Sequence, residues 1–159
     1  MRITLAAVGR ANKADPATAL YLDYAGRLGR SGGVLGPLTL KEVEVRRPLP
    51  PGELKRREAE LLLNAVPPRA PLIALDERGA ALASVDFAAL LGRWRDEGAG
   101  AVAFAIGGAE GLDEAVRGAA ARVLGLGPMT WPHMLVRALL AEQLYRAQSI
   151  LTGHPYHRG

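Results

Sequence analysis

The polar side chains best suited to chemistry stand at the very end of the chain. The run Thr152–Gly159 (TGHPYHRG) carries His154, Tyr156, His157 and Arg158. Chain ends are normally unspecialised, so such a density of functional groups is a signal. An imidazole can take a proton near neutral pH, a phenol can orient a partner by hydrogen bonding, and a guanidinium can hold a phosphate or offset an anion. The bland alternative is a basic tail. Two histidines do not make a purification tag.

Two further stretches could form the walls of a pocket. Ile106-Gly107-Gly108-Ala109-Glu110-Gly111 is rich in glycine, so its backbone can approach a ligand closely and offer N–H groups near a helix start. A strand-to-helix turn calls for glycine on its own account. The spacing matches neither the G-x-G-x-x-G of dinucleotide-binding folds nor the G-x-x-x-x-G-K-[ST] of a P-loop. The segment Gly125–Pro132 (GLGPMTWP) is long enough to wrap a ligand, and Met129 and Trp131 can cover a flat apolar group such as a nucleobase. Otherwise both plug the core. A loop, a long helix and a polar tail in succession point to an enzyme with a covered pocket rather than a scaffold.

The elements that must position these groups alternate between strand and helix. Arg2–Val8 reads as a first strand, and Asp15-Pro16 as an N-cap with proline at the first helical position. The helix that follows reaches about Leu28. Leu38–Val45 alternates as a strand with one wet face. A helix is expected from about Glu53 to Ala65, then a buried strand over Pro71–Leu75 with Asp76–Gly79 as its turn. Ser84 is expected to cap a helix reaching about Glu97. Ala101–Ile106 is a second buried strand, Asp113 caps a helix to about Ala121, and Val123-Leu124 forms a weak last strand. The final helix, from about His133 to Leu151, carries Val136, Leu140, Leu144, Ala147 and Leu151 on one stripe with Leu135 and Leu139 beside them. That face is broader than one sheet contact needs, which suggests a homodimer interface. Glu142 and Arg146 fit a solvated i,i+4 pair. The pattern predicts an α/β fold with a mostly parallel sheet and helices on both faces, in one domain over residues 1–159. In such sheets ligands sit beyond the carboxyl ends of the strands. That rule selects the loops at Leu75–Gly79, Gly107–Gly111 and Leu126–Trp131.

Taken together, Leu75-Asp76-Glu77-Arg78-Gly79, Phe104–Leu112 (FAIGGAEGL), Leu135-Val136-Arg137 and His154-Pro155-Tyr156-His157-Arg158 resemble the ribosomal large-subunit RNA methyltransferase H family. The resemblance runs the full length, although Gly127-Pro128-Met129 and Trp131 depart from that family's serine- and leucine-containing loop. It implies a SPOUT-type α/β fold with a C-terminal trefoil knot, which sequence logic alone would argue against because knots are so rare. It further implies a homodimer that uses S-adenosylmethionine to methylate N3 of a pseudouridine in the helix 69 loop of 23S rRNA within the ribosome. The cofactor would lie against Leu75, Gly107 and the run Leu126, Gly127, Pro128, Met129, Thr130 and Trp131. The N3 proton must leave, so His157 is the first candidate base. Tyr156 would orient the ring, Arg158 would offset charge on RNA, and His154 and Glu110 stand in reserve. The alternatives are a SPOUT enzyme acting on another rRNA or tRNA nucleotide, and a non-catalytic RNA- or ribosome-binding module.

Composition bounds these readings. The 159 residues include no cysteine and only three histidines, which removes disulfide frameworks and thiolate metal sites and gives no support to a zinc site. The net charge of +4 favours a polyanionic partner. Arg46, Arg47, Arg56 and Arg57 form a candidate phosphate-contact patch. The N-terminus lacks a signal-peptide pattern and no apolar run approaches bilayer length, so the expected location is the cytoplasm, with no membrane partner and no metal.

Overall fold

The structure, a computed structural model, describes residues 1–30 and 32–157. Five strands form one all-parallel sheet in the order β2-β1-β4-β3-β5. They are β1 (Arg2–Val8), β2 (Leu38–Val43), β3 (Leu72–Ala80), β4 (Ala101–Ile106) and β5 (Arg122–Leu124). The helices between and after them are α1 (Pro16–Arg30), α2 (Pro51–Ala65), α3 (Ser84–Asp96), α4 (Glu114–Ala119) and α5 (His133–Thr152).

Alternation along the central strands divides the core by size. Ile3 and Leu5 of β1, Ile73 of β3, and Val102 and Phe104 of β4 pack on one face against Tyr21 and Leu28 of α1, Phe87 and Leu91 of α3, and Leu140 and Leu144 of α5. The other face presents mostly alanine (Ala6, Ala74, Ala103, Ala105) to Ala59 and Leu62 of α2 and Val116 of α4. Burying strands on both faces in this way is what their continuous apolar runs require. Helices on both faces and a parallel sheet therefore agree with the sequence reading.

Local signals hold in part. Asp15 accepts from the Ala17 N–H at 2.9 Å and Asp113 from the Ala115 N–H at 2.9 Å, so both cap as expected. Ser84 does not cap. Ala83 holds the N-cap position without a side-chain bond, and the Ser84 hydroxyl instead reaches Gln143 of α5 at 2.7 Å. Asp76–Gly79 is not a terminal turn either, for β3 runs on to Ala80, with an irregularity that pairs both Leu75 and Ala80 with Leu124. Gly79 permits this: a Cβ there would lie 2.5 Å from the Leu124 carbonyl carbon. The edge strand β2 stops at Val43 rather than Val45, and α2 starts at Pro51 rather than Glu53.

Arg137 fixes how α5 meets the sheet. Its side chain, 3% exposed, pairs with Glu42 of β2 at 2.8 Å and donates to the Val8 and Gly9 carbonyls at 2.8 Å each. The first half of α5 is thereby held over the carboxyl ends of β1 and β2.

Candidate active site

The carboxyl ends of β3, β4 and β5 and the start of α5 enclose a cavity of about 590 Å³. This is the crevice that the strand order marks out, and its volume suits a small-molecule ligand. Leu75, Ile106, Leu124, Leu126 and Val136 supply apolar wall. The segment from Gly107 to Gly111 supplies backbone, closed by a bridge between Gly108 and Gly111. Gly107 has no room for a side chain: a Cβ would sit 2.7 Å from the Gly111 carbonyl carbon.

Of the residues expected to hold a cofactor, Leu75, Gly107, Leu126, Gly127, Met129, Thr130 and Trp131 all line this cavity, whereas Pro128 does not. Met129 is 70% exposed and Trp131 40%, so neither plugs the core. The Trp131 indole N–H donates to the Leu126 carbonyl at 3.3 Å, which ties the loop to itself.

Asp76, inside a loop that the strand-end rule selected, lines the cavity, as do Arg117, Lys55 and His133, to which sequence reasoning gave no role there. Arg117 (side chain 15% exposed) pairs with Asp76 (8%) at 3.1 Å and with Glu114 at 2.8 Å, and also donates to the Leu112 carbonyl. One guanidinium thus joins the end of β3, the glycine loop and α4. These partners hold the Arg117 guanidinium above its ordinary range, Glu114 first, then Asp76. The only sequence trace of this clamp is the Glu114–Arg117 spacing. His133 is the first residue of α5, directly after Pro132, and it brings the one imidazole that lines the cavity among the described residues.

The tail residues lie elsewhere. Gly153 ends α5 in the left-handed conformation, and the His154 N–H bonds back to the Ser149 carbonyl at 2.9 Å. The chain then doubles back along α5. The Tyr156 hydroxyl lies 3.0 Å from both the Tyr24 hydroxyl and the Glu142 carboxylate, with its ring edge-on to Tyr145 at 4.7 Å. Burial first, then the bonds to Tyr24 and Glu142, push the phenol well above its ordinary pKa, so it remains a protonated donor. Glu142 also takes the Arg146 Nε–H at 3.0 Å. This pair is half-buried, with side chains 18% and 27% exposed, and engaged with Tyr156 rather than solvated as expected. His154 Nδ1 accepts from the Tyr156 N–H at 3.2 Å, and His157 Nδ1 is buried without a hydrogen-bond partner. None of the three lines the cavity of its own chain. Arg158 lies outside the described residues.

Of the arginine patch, Arg46, Arg47 and Arg56 are exposed, while Arg57 pairs with Glu60. Among the described residues there is no group of His, Cys, Asp or Glu side chains that could hold a metal, and no helix long and apolar enough to cross a membrane.

Comparison with known proteins agrees with this geometry. The family profile described as "Predicted SPOUT methyltransferase" matches residues 1–157. The chain is 61% identical over 158 residues to the ribosomal RNA large subunit methyltransferase H of Rhodospirillum centenum, covering 99% of each chain. To the protein of the same name from Paramagnetospirillum magneticum it is 58% identical, again over 99% of each. In fold it is similar to a probable methyltransferase from Bordetella pertussis Tohama I (TM-score 0.56, 20% identity, 92% of this chain and 95% of that one). A five-stranded parallel sheet with helices on both faces, a cavity at its carboxyl edge and full-length identity of this order have one conclusion: the chain belongs to the SPOUT methyltransferases, with the ribosomal RNA large subunit methyltransferase H proteins.

Proposed function

We propose that this protein methylates ribosomal RNA with S-adenosylmethionine, at N3 of a pseudouridine in the helix 69 loop of 23S rRNA, as a homodimer acting on the ribosome in the cytoplasm. The observation that carries the proposal is the cavity itself. Its apolar wall at Leu75, Ile106, Leu124 and Leu126 suits the faces of an adenine, while the backbone of Gly107–Gly111 and of Leu126–Trp131 can bond its polar edges and ribose. The residues present therefore fit the cofactor. When bound, it would supply a methyl group already made electrophilic by the sulfonium. The protein's work is alignment and proton handling. Arg117 and Asp76 hold the two wall segments in register. The chain between β5 and α5 would form the trefoil knot that the family resemblance implies, and a strand order with β3 between β4 and β5 is compatible with it.

The substrate side draws on the tail. Tyr156, His157 and Arg158, with His154 beside them, would position the nucleotide and take its N3 proton, His157 as the base and Arg158 against the phosphate. Tyr156 stands beside Glu142, nine residues into α5 from His133, or roughly 13 Å of helix rise. A tail so placed would serve the cavity of a second copy in the proposed homodimer, and Leu82, Val85, Met129 and Trp131 are among the exposed large apolar side chains that such a meeting would cover. Arg46, Arg47 and Arg56 would meet RNA phosphates.

The test is a calorimetric titration with S-adenosylmethionine, followed by methylation of ribosomes lacking the modification and mapping of the methylated nucleotide. Saturable binding and a single product in the helix 69 loop are expected. Methylation at another nucleotide would replace the substrate assignment. No binding either to the free protein or in the presence of 70S particles would leave a non-catalytic RNA-binding module.

A further inference from the structure

A train of hydrogen-bonded side chains runs from the start of α3 across α5 to the tail and on to α1. The proposed methyl transfer gives Ser84, Gln143, Glu142 and Tyr24 no task. The Ser84 hydroxyl donates to Gln143 Oε1 at 2.7 Å, and the Gln143 amide donates in turn to Glu142 Oε2 at 2.7 Å. Consecutive helix residues do not face one another, so that amide needs a second anchor, which Ser84 provides. Glu142 Oε1 lies 3.0 Å from the Tyr156 hydroxyl and takes the Arg146 Nε–H at 3.0 Å. The Tyr24 hydroxyl stands 3.0 Å from the same Tyr156 oxygen. A phenol has one proton, and a carboxylate is the stronger acceptor. Tyr156 therefore donates to Glu142 and accepts from Tyr24. Every bond of the train points toward the Glu142 carboxylate.

Two further observations give the train a direction of use. Ser84, Glu142 and Gln143 line a second cavity of about 320 Å³, which Leu126, Gly127 and Trp131 of the loop before α5 also line. The train thus spans the ground between that loop and the tail. At its other end, His157 follows Tyr156 directly and has no hydrogen bond at its buried Nδ1, so its placement depends on the anchor one residue before it. We infer that Glu142 is a positioning residue for methyl transfer: with Gln143 and Tyr24 it fixes the Tyr156 phenol, and through it the angle at which the tail presents His157. The inference rests on the proposed role of the tail and deepens it. Because the phenol proton is committed to Glu142, Tyr156 acts by where it holds the tail.

Single-turnover methyl transfer to ribosomes lacking the modification, alongside calorimetric titration with S-adenosylmethionine, reads this role on the full chain. Glu142→Gln keeps the size and an acceptor but loses the charge, and should slow transfer roughly tenfold or more. Tyr24→Phe keeps the ring and Gln143→Leu the bulk; each should slow it about threefold, the loss of one neutral bond. Cofactor dissociation constants and the KM for ribosomes should stay within about twofold, since none of the three side chains lines the cofactor cavity. Combination with Tyr156→Phe separates positioning from general support of the fold. Once the phenol is gone, each change should alter the remaining rate by less than about twofold. Hydrogen exchange of the amides within residues 153–157 reads the same cycle without catalysis. Glu142→Gln and Tyr156→Phe should each speed it, and the double variant no further than either. Full losses that persist in the Tyr156→Phe background, losses in cofactor affinity instead of rate, or unchanged exchange in Glu142→Gln would each overturn the assignment. Wild-type protein that methylates no ribosome removes the proposed function, and exchange then still decides whether Glu142 holds the tail.

Discussion

At the scale of single residues, Glu58 and Tyr156 show how burial sets protonation. The folded-state pKa of Glu58 is raised above its ordinary value of 4.5, by burial first and Glu110 second. The folded protein therefore binds this proton more tightly than the unfolded chain does. The contribution of Glu58 to stability is fully present below about pH 4.5 and is lost as pH rises through the raised value. Glu58→Gln should flatten that part of the curve and leave the neutral-pH melting temperature unchanged or higher. Urea titrations of both proteins between roughly pH 4 and 8 are the check, and a variant that is less stable at about pH 7 would contradict this account. Tyr156 is the opposite case, a protonated phenol satisfied by Tyr24 and Glu142. Tyr156→Phe removes both bonds and should cost about 1 kcal/mol. If Tyr156 orients the substrate ring, methyl transfer should fall well beyond what that loss explains, with cofactor affinity unchanged.

At the scale of elements, the turns between strands and helices decide whether the cavity exists. A Cβ at Gly107 would meet backbone, the Gly111 carbonyl carbon at 2.7 Å and its oxygen at 2.8 Å, so the loop must shift as a whole. Gly118 in α4 meets nothing within 4 Å. Gly107→Ala should therefore weaken cofactor binding by at least about tenfold, whereas Gly118→Ala should leave it intact and add roughly 0.4–1 kcal/mol of stability. Calorimetric titration and thermal melts of the two variants, side by side, separate loop geometry from a general effect of added methyl groups. These turns also mark how far a sequence can be read. β4 is legible because a strand buried on both faces must be apolar throughout, and the rule that ligands sit at strand carboxyl ends then selects loops that do line the cavity. The extension of β3 is not legible, because Asp76–Gly79 has turn chemistry and becomes strand only through Leu124, far along the chain, pairing twice. The Asp76–Arg117 clamp spans 41 residues and the Tyr156–Glu142 bond 14, and no periodicity records either. The wet-face reading of β2 holds from Leu38 to Lys41, where half-buried leucines alternate with exposed Thr39 and Lys41, and the alternation breaks at Glu42, which is exposed as well.

At the scale of the whole molecule, the chain holds its two sets of functional groups apart. The cavity gathers the loops after β3, β4 and β5, while the tail is fastened along α5 by Tyr24, Glu142 and Tyr145. If one catalytic centre needs both, two chains must share it. This has a consequence that single variants cannot imitate. Gly107→Ala damages the cavity and leaves the tail whole; the double change Tyr156→Ala, His157→Ala damages the tail and leaves the cavity whole. Assayed with the cofactor well below the raised dissociation constant of Gly107→Ala, each homodimer should be strongly impaired. Unfolded together and refolded at equal concentrations, the two chains should pair at random, so half of the dimers are mixed by simple statistics. Each mixed dimer contains one intact cavity facing one intact tail, and so about a quarter of the wild-type site number should return. Were the tail to serve its own cavity, no mixed dimer would hold a complete centre and activity would stay at the level of the separate variants. Methyl transfer to ribosomes before and after co-refolding reads the difference directly. Repeating the assay across a salt series would show whether Arg46, Arg47 and Arg56 engage RNA phosphates. Replacing them should make the salt dependence of RNA binding shallower, by nearly one unit of log–log slope for every phosphate that an arginine no longer neutralises.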